Sequence, residues 1–559
     1  MKYYFLLIAT IFPAILFAQS VNAPLNEDYY HLIDRYEIRS GTIQSYFFTS
    51  RTPYQRRSIA YFVDSLQSTD QQWSSSDRFN FDYLRNDNWE WSDSADFASK
   101  KPFLKHFYRA KSDLYHVNER DFDLHVNPVL YLGLGRETGS DVNTYINTRG
   151  VQIRGMIDKK LGFYSFLGEN QVVFPAYTRD YIFNGYKVVP NEGFWKDYKE
   201  NGTDFFTARG YISFDPTRHI NLQFGHDKFN VGNGYRSMIL SDYAPAYLFL
   251  KMETKVWKIN YTNLFTEMTA DIFTSGRSLI GTRDYPKKYM AFHHLGINIG
   301  KKLNIGVFES VVYSNADSVN NGGIELKYMN PIIFYRAVEQ QNGSSDNVLL
   351  GMDFKWLPFK KISLYGQLVL DEFLLENIRE GDGWWGNKYS LQLGGEYVDA
   401  FGLSNLDLQL EANISRPYTY SHGDTYNSYS HYRQPLAHPL GANFTEIVGI
   451  ARYQPMGRLM LTGKLIMAKY GADSEGTNFG GDILKSNTTR ENSYGNEIGQ
   501  GLENNLLFGD FTASYQLKHN FFIDLKHIYR KQKTDNDDLS TNYSSFALRW
   551  NIPQRLNEF

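Results

Sequence analysis

The densest run of side chains able to do chemistry is Phe224-Gly225-His226-Asp227-Lys228-Phe229-Asn230-Val231-Gly232-Asn233-Gly234-Tyr235-Arg236. A strand-like stretch ends here in a charged turn. Gly232 and Gly234 open backbone conformations closed to other residues. Asp227, Asn230, Tyr235 and Arg236 are candidates to bind a polar ligand. The structural alternative is a loop folded inward and held by pairs among His226, Asp227, Lys228 and Arg236, and it is favoured over catalysis. A glycine pair without a following Lys-Ser/Thr is a weak phosphate signal.

A second group runs from Arg416-Pro417-Tyr418-Thr419-Tyr420-Ser421-His422 to His438-Pro439-Leu440-Gly441-Ala442-Asn443. Its flat, amphipathic rings, Tyr418, His422 and His438 among them, suit stacking on sugar faces while polar tips bond hydroxyls. Trp384-Trp385, between Gly383 and Gly386, offers another such platform. The competing reading is that these aromatics pack loops or lie at a membrane interface. His422, His431 and His438 match no zinc spacing, and no His-Glu-x-x-His helix occurs, so no metal is expected. Paired carboxylates such as Asp371-Glu372 carry little catalytic information. No Gly-x-Ser-x-Gly elbow and no credible triad occur, so no catalytic residue, no cofactor and no enzyme activity are expected.

The elements that must position these residues are short alternating strands. In Val348 to Leu357, the residues Val348, Leu350, Met352, Phe354 and Trp356 form one apolar stripe. A turn at Pro358-Phe359-Lys360-Lys361 leads to Ile362 to Glu372. From about Asp121 the same pattern recurs. Gly150–Ile157 pairs with Gly162–Phe174 across Asp158-Lys159-Lys160. Phe205–Phe214 pairs with Ile220–Asp227 across Asp215-Pro216-Thr217-Arg218. Phe292–Ile299 pairs with Leu303–Val312 across Gly300-Lys301-Lys302. Tyr389–Val398 pairs with Leu406–Ile414. Phe444–Tyr453 pairs with Leu459–Ala468 across Gln454-Pro455-Met456-Gly457, and Leu506–Tyr515 with Phe521–Tyr529. Phe249 to Asp271 divides into two or three strands, and register is poorly defined from Leu326 to Val338. The last strand is expected over Tyr543–Ile552, with Phe546, Leu548, Trp550 and Ile552 on one face.

The opposite connections are long: Pro175–Asp204, Phe373–Asn387, Arg416–Asn443 and Tyr470–Asn504. Short turns at one end and long loops at the other are the layout of an outer-membrane barrel. In lipid every backbone N–H and C=O must be paired within the protein, so only helices and closed barrels span. The expected fold is all-β: a transmembrane antiparallel barrel of about 18 strands, give or take two, over residues 121–559.

The remainder of the chain fits. It has 559 residues, 42 Tyr, 40 Phe, 44 Gly and no Cys. The aromatics suit interface girdles; the missing cysteine removes disulfides, thiolate sites and lipoprotein acylation. Net charge of -3 gives no reason to expect a nucleic-acid partner. Mean hydropathy of -0.46 is too polar for a helical membrane protein but not for a barrel, whose apolar surface is every second residue. Lys2, the apolar run Phe5–Phe17 and the small Ala18 before Gln19 read as a cleaved export signal, residues 1–18. No later stretch approaches the roughly 20 apolar residues of a membrane helix. Residues 19–120 lack alternation. Glu27–Ile38 and Pro53–Gln67 have helical spacing, with Ile59, Phe62, Val63 and Leu66 on one face. Ser74-Ser75-Ser76-Asp77 caps a third helix before Phe79–Leu84. This region is expected on the periplasmic side, closing the barrel.

Three phrases carry a resemblance. Gly225 to Lys251, with Asn233-Gly234-Tyr235-Arg236-Ser237 and Ser241-Asp242-Tyr243-Ala244-Pro245-Ala246-Tyr247, is one. Tyr328-Met329-Asn330-Pro331-Ile332-Ile333-Phe334-Tyr335-Arg336 and Gln434-Pro435-Leu436-Ala437-His438-Pro439-Leu440-Gly441-Ala442-Asn443 are the others. From about Asp121 onward the chain resembles large outer-membrane proteins of Bacteroidota, the Wzi-like capsule-assembly barrels and the related RemB-like gliding-motility branch. The resemblance implies an 18-stranded barrel with N-terminal helices that binds surface polysaccharide and helps anchor a capsule. Its motility branch implies a role in cell-surface movement. The partners it implies are outer-membrane lipid, surface polysaccharide, and other envelope or gliding-machinery proteins. A secretion accessory and a passive channel remain as alternatives.

Overall fold

A strand that reads apolar at every second residue has one face for lipid and one for a polar interior. In the computed structural model, which describes residues 20–67, 72–270, 285–314, 323–331, 335, 346–372 and 374–559, eighteen such strands close on themselves. They are β1 Phe122–Glu137, β2 Thr144–Ile157, β3 Leu161–Val173, β4 Gly202–Thr217, β5 Ile220–Asp227 and β6 Tyr247–Val256. Next come β7 Ile259–Thr269, β8 Lys287–Ile299, β9 Leu303–Tyr313, β10 Asn347–Phe359, β11 Ile362–Glu372 and β12 Lys388–Tyr397. The series ends with β13 Leu406–Ser415, β14 Phe444–Met456, β15 Leu459–Ala472, β16 Leu502–Lys518, β17 Phe521–Thr534 and β18 Asp538–Trp550. Each strand pairs antiparallel with its neighbours in sequence, and β18 closes on β1 through Trp550↔Leu130 to Tyr543↔Glu137. The export-signal expectation over residues 1–18, and residues 332–334 and 336–338 of the 326–338 stretch, lie outside the described residues.

The alternation is direct on β15. Thr462, Lys464, Ile466 and Ala468 are buried inside, while Leu465 and Met467 stand exposed on the outer face. Leu132 and Leu134 on β1, Phe206 and Ile212 on β4 and Phe511 on β16 extend the same apolar belt. So wide an apolar exterior is stable only against lipid. Among the described residues no helix is long and apolar enough to cross a membrane.

Several expected turns prove narrower. Strand pairing continues past Pro216, Pro358 and Pro455 through register shifts at Phe214/Thr217, Trp356/Phe359 and Tyr453/Met456. Proline has no N–H to give the ladder, so the chain bulges at each one and resumes. The true turns are Arg218-His219, Lys360-Lys361 and Gly457-Arg458. The Phe249–Asp271 stretch yields two strands, β6 and β7. The last strand is corrected at its end: β18 stops at Trp550, and Ile552 packs into the lumen instead of joining the outer stripe.

Three helices precede the barrel: α1 Glu27–Ser40, α2 Arg56–Gln67 and α3 Ser75–Asp87. The side chain of Asn26 caps α1, Gly41 ends it at φ 69°, and Ser74 with Asp77 forms a reciprocal capping box on α3. Ile33, Tyr36, Ile59, Phe62, Val63, Leu66 and Phe81 make their common core. The bundle sits in the short-turn mouth. Ile38 packs on Leu357 and Val398, the Ile43 amide donates to the Lys301 carbonyl at 2.7 Å, and Asn80 bonds Gln454. Ion pairs add to these contacts: Glu27 to Arg452 and Lys464, Glu37 to Lys355, and buried Arg35 to Asp399 and Asp407 of the barrel as well as to Asp77 on α3.

Candidate functional site

The charged turn after β5 is the start of a plug. Residues 228–246 fold into the lumen rather than standing outside. Asn230-Val231 pairs with Arg51-Thr52 ahead of α2, and the Gly232 amide donates to the Ser50 carbonyl at 2.7 Å. Gly232 has φ 131°, and a Cβ there would meet the Gln367 amide. Gly234 has no such φ; it is glycine because Gln392 and Glu411 crowd its α-carbon. Met238, Ile239, Leu240 and Ala244 then make an apolar core with Tyr420, Tyr429 and Leu436 of the 416–443 loop. The Tyr420 and Tyr429 hydroxyls donate to the Met238 and Ile239 carbonyls at 2.6 and 2.8 Å.

The ion-pair network expected here exists with different partners. His226 follows the period of two to the outer face and is exposed, and among the described residues Asp227 accepts from the neighbouring Lys228 amide, at 2.9 Å. Strand residues supply the counter-charges instead. Glu411 on β13 accepts from the Tyr235 and Arg236 amides at 2.7 and 3.1 Å. The Arg236 guanidinium lies 3.4 Å from Glu446 on β14 and 3.6 Å from Glu558. Tyr235 bonds Glu558 and accepts from Lys464 at 2.9 Å.

Glu558 belongs to a tail that sequence patterning does not reveal. Residues 551–559 turn back inside the barrel after β18. Arg555 reaches Glu192 at 3.3 Å, Arg530 donates to the Phe559 carbonyl at 3.0 Å, and the Phe559 ring packs on Tyr177 and Tyr181. A cavity of ≈ 320 Å³ remains between this tail, α1 and the plug, lined by Glu27, His31, Asn230, Tyr235, Arg236 and Arg555 among others.

His438 joins this inner group. The ring is fully buried against Phe444, at 4.2 Å between centroids. The Leu440 amide donates to its Nδ1 at 3.2 Å, so Nε2 carries the proton given to Glu446 at 2.7 Å. Burial pushes the ring toward neutrality more strongly than Glu446 opposes it. Glu446 thus takes hydrogen bonds from His438, Asn413 and Arg236 at once.

Trp384, Trp385 and Tyr418 form a separate group at the long-loop end, and His422 stands apart from it. Trp385 is held by its amide on the Ser493 carbonyl at 3.0 Å and lies 6.0 Å from Trp384. Tyr418, at 1% exposure, backs it edge-on at 6.3 Å and anchors to the Asn478 carbonyl. Both tryptophans are half-buried, so part of each ring meets solvent. The Arg490 guanidinium sits 4.2 Å from the Trp385 ring centre. His422 is half-buried beside Asp424. Arg490 was not a candidate from sequence, because nothing in the spacing of 385 and 490 predicts their meeting. Among the described residues no group of three metal-ligating side chains comes together.

No family model matches the chain, and no curated protein matches it. Solved structures do. A barrel described as Wzi, an outer-membrane protein involved in group 1 capsule assembly in Escherichia coli and a carbohydrate-binding β-barrel, superposes with a TM-score of 0.57. Identity is 14%, over 96% of this chain and 99% of that one. OprD of Pseudomonas aeruginosa matches with a TM-score of 0.41 and 9% identity, over 76% of this chain and 94% of that one. The first of these shows the fold, that of an outer-membrane β-barrel.

Proposed function

We propose that this chain is a non-enzymatic outer-membrane barrel that holds surface polysaccharide at its long-loop end. In this reading residues 1–18 are removed on export, 19–120 form the periplasmic closure, and 121–559 make the barrel. The observation that carries it is the half-exposed Trp384-Trp385 pair with Arg490 beside it. Flat indole faces stack on sugar rings, and the Arg490 guanidinium over the Trp385 ring places a cation suited to a carboxylate-bearing glycan beside the Trp384 face. Likeness in fold to a carbohydrate-binding barrel supports it, as do the sequence phrases shared with capsule-assembly barrels. The alternative, a role in surface motility, rests on the same resemblance alone. The filled lumen weighs against a passive channel.

The test is retention of cell-derived polysaccharide by purified protein. Wild type is expected to carry it, and Trp384→Ala/Trp385→Ala to lose at least tenfold, since truncating an aromatic anchor of a binding surface costs about 2 kcal/mol or more. Equal retention by wild type and double variant removes the site. Deleting the gene separates the two roles: loss of cell-attached polysaccharide supports capsule anchoring, and loss of spreading with polysaccharide intact supports motility.

A further inference from the structure

Residues 97–111 leave the helical bundle and form a hairpin of their own. Ala98 bridges Ala110, and the Ser99 amide donates to the Arg109 carbonyl at 2.9 Å. At the tip, Phe103 and Phe107 exchange backbone hydrogen bonds at 2.8 and 2.9 Å. The hairpin is rooted at both sides of the wall. Phe97 stacks on Trp89 of the bundle at 4.5 Å, and Tyr108 stacks on Trp550 at 5.8 Å with planes 12° apart. Trp550 lies on the outer, lipid-facing stripe of β18 with Phe546 and Leu548, beside Phe521. The hairpin therefore reaches the outside of the barrel at its short-turn end.

Its tip is unlike a solvent loop. Phe103 is 61% and Leu104 66% exposed. Leu104 and Lys105 have φ of 48° and 65°, a conformation costly for such residues, and it is this bend that holds the apolar pair outward. Between Phe97 and Lys111 stand Lys100, Lys101, Lys105, Arg109 and Lys111, and no carboxylate. Among the described residues the hairpin's ion pair is Lys111 with Asp96, at 2.9 Å. Exposed Lys159, Lys160 and Lys518 stand in neighbouring turns of the same rim.

We propose that this hairpin is an interfacial anchor for anionic phospholipid. Phe103 and Leu104 enter the acyl boundary of the leaflet at the short-turn end. Lys100, Lys101, Lys105 and Arg109 meet the phosphates above it, in the pattern of apolar tip and basic collar that binds negatively charged bilayers. A lipid surface is favoured over a protein partner because the hairpin emerges at the lipid face of the wall. The inference rests on the barrel spanning the membrane and not on polysaccharide binding.

The chain has no cysteine, so Leu104→Cys and, separately, Leu134→Cys on the outer belt give single nitroxide sites in the full protein. Each is reconstituted in vesicles of phosphatidylcholine alone or with phosphatidylglycerol, and accessibility to oxygen is compared with that to a water-soluble nickel chelate. Leu134 is the control for the barrel and must be lipid-accessible in both. Label at 104 is expected to show an oxygen-to-nickel ratio at least threefold higher with phosphatidylglycerol, and Lys100→Glu/Lys101→Glu/Lys105→Glu to remove the rise. Water-like accessibility at 104 in both vesicles, with 134 in lipid, overturns the anchor. Equal burial in both overturns the recognition of anionic lipid. A water-exposed 134 overturns the membrane reading of the barrel itself.

Discussion

Arg236 is the residue on which the charge balance of the lumen turns. Its side chain is 10% exposed and faces Glu446 and Glu558, at 1% and 2%. Glu446 keeps His438 and Asn413, and Glu558 keeps Lys464, but taking away the cation the two carboxylates share leaves buried negative charge in excess, which costs up to about 3–5 kcal/mol. Arg236→Met is therefore expected to lower barrel stability by up to that amount, read as a shift in the denaturant midpoint of heat-modifiable gel migration. It should also free the tail, so that carboxypeptidase removes residues 553–559 from the folded variant and not from wild type. A variant as stable and as protected as wild type would show that the three charges are independently satisfied. The run from Phe224 to Arg236 announced this place in the sequence, because two glycines among charges mark a backbone in a tight spot. Its partners were not legible: Glu411, Glu446, Lys464 and Glu558 lie 175 or more positions away, and pairs so distant leave no spacing to read.

At the scale of elements, the helices were legible and the side chains that seat them against the barrel were not. Ile59, Phe62, Val63 and Leu66 recur at helical spacing because one face of α2 must be buried, and Ser74 caps α3 as its sequence suggests. The strands were legible for the same reason at a period of two. Turn widths were misread where Pro216, Pro358 and Pro455 sit in bulges, since proline signals a break whether the ladder stops or merely skips a residue. The 551–559 tail has neither period, and its inward path depends wholly on tertiary partners. The seam between α1 and the barrel is ionic, so it carries a pH dependence. Burial pushes the Glu27 carboxyl up, but Lys464 and Arg452 outweigh it and hold the group at about 2, against an ordinary 4.5. An acid depressed on folding contributes stability above its unfolded value, and that contribution is lost as pH falls from about 4.5 toward about 2. Asp77, pushed up by burial but held lower by Arg35 and Arg39, acts in the same sense; Asp28, pushed up by burial, acts against it. Protection factors of α1 amides, corrected for intrinsic exchange, are expected to fall across this window while those of the strands hold. Glu27→Gln should flatten the dependence, and an unchanged profile in that variant would assign the effect elsewhere.

The whole molecule is a barrel filled in three layers. The helical bundle occupies the short-turn mouth, and the plug with the tail occupies the middle. The long loops cover the far end, where Tyr418 hydrogen-bonds the Asn478 carbonyl and Asn191 bonds Gln434. The layers are tied to the wall separately. The plug is held by Gln367 on the Met238 amide at 2.6 Å and by Glu411 on Tyr235 and Arg236, contacts that involve no helix. Its apolar residues Met238 to Leu240 are fixed from above by Tyr420, Tyr429 and Leu436. Removal of one layer should therefore leave the pore shut. In planar bilayers the intact chain is expected to give no conductance steps, and a variant lacking residues 20–112 to give none either. Deleting residues 232–241 in addition takes away the apolar centre of the plug, the Arg236 charges and the tail's contacts with Tyr235 and Arg236 together. That double deletion is expected to open steps of the size a water-filled barrel of eighteen strands allows. Porin-like steps from the helix deletion alone would mean that the pairing of Arg51-Thr52 with Asn230-Val231 holds the plug in place, and that the bundle and the plug act as one gate.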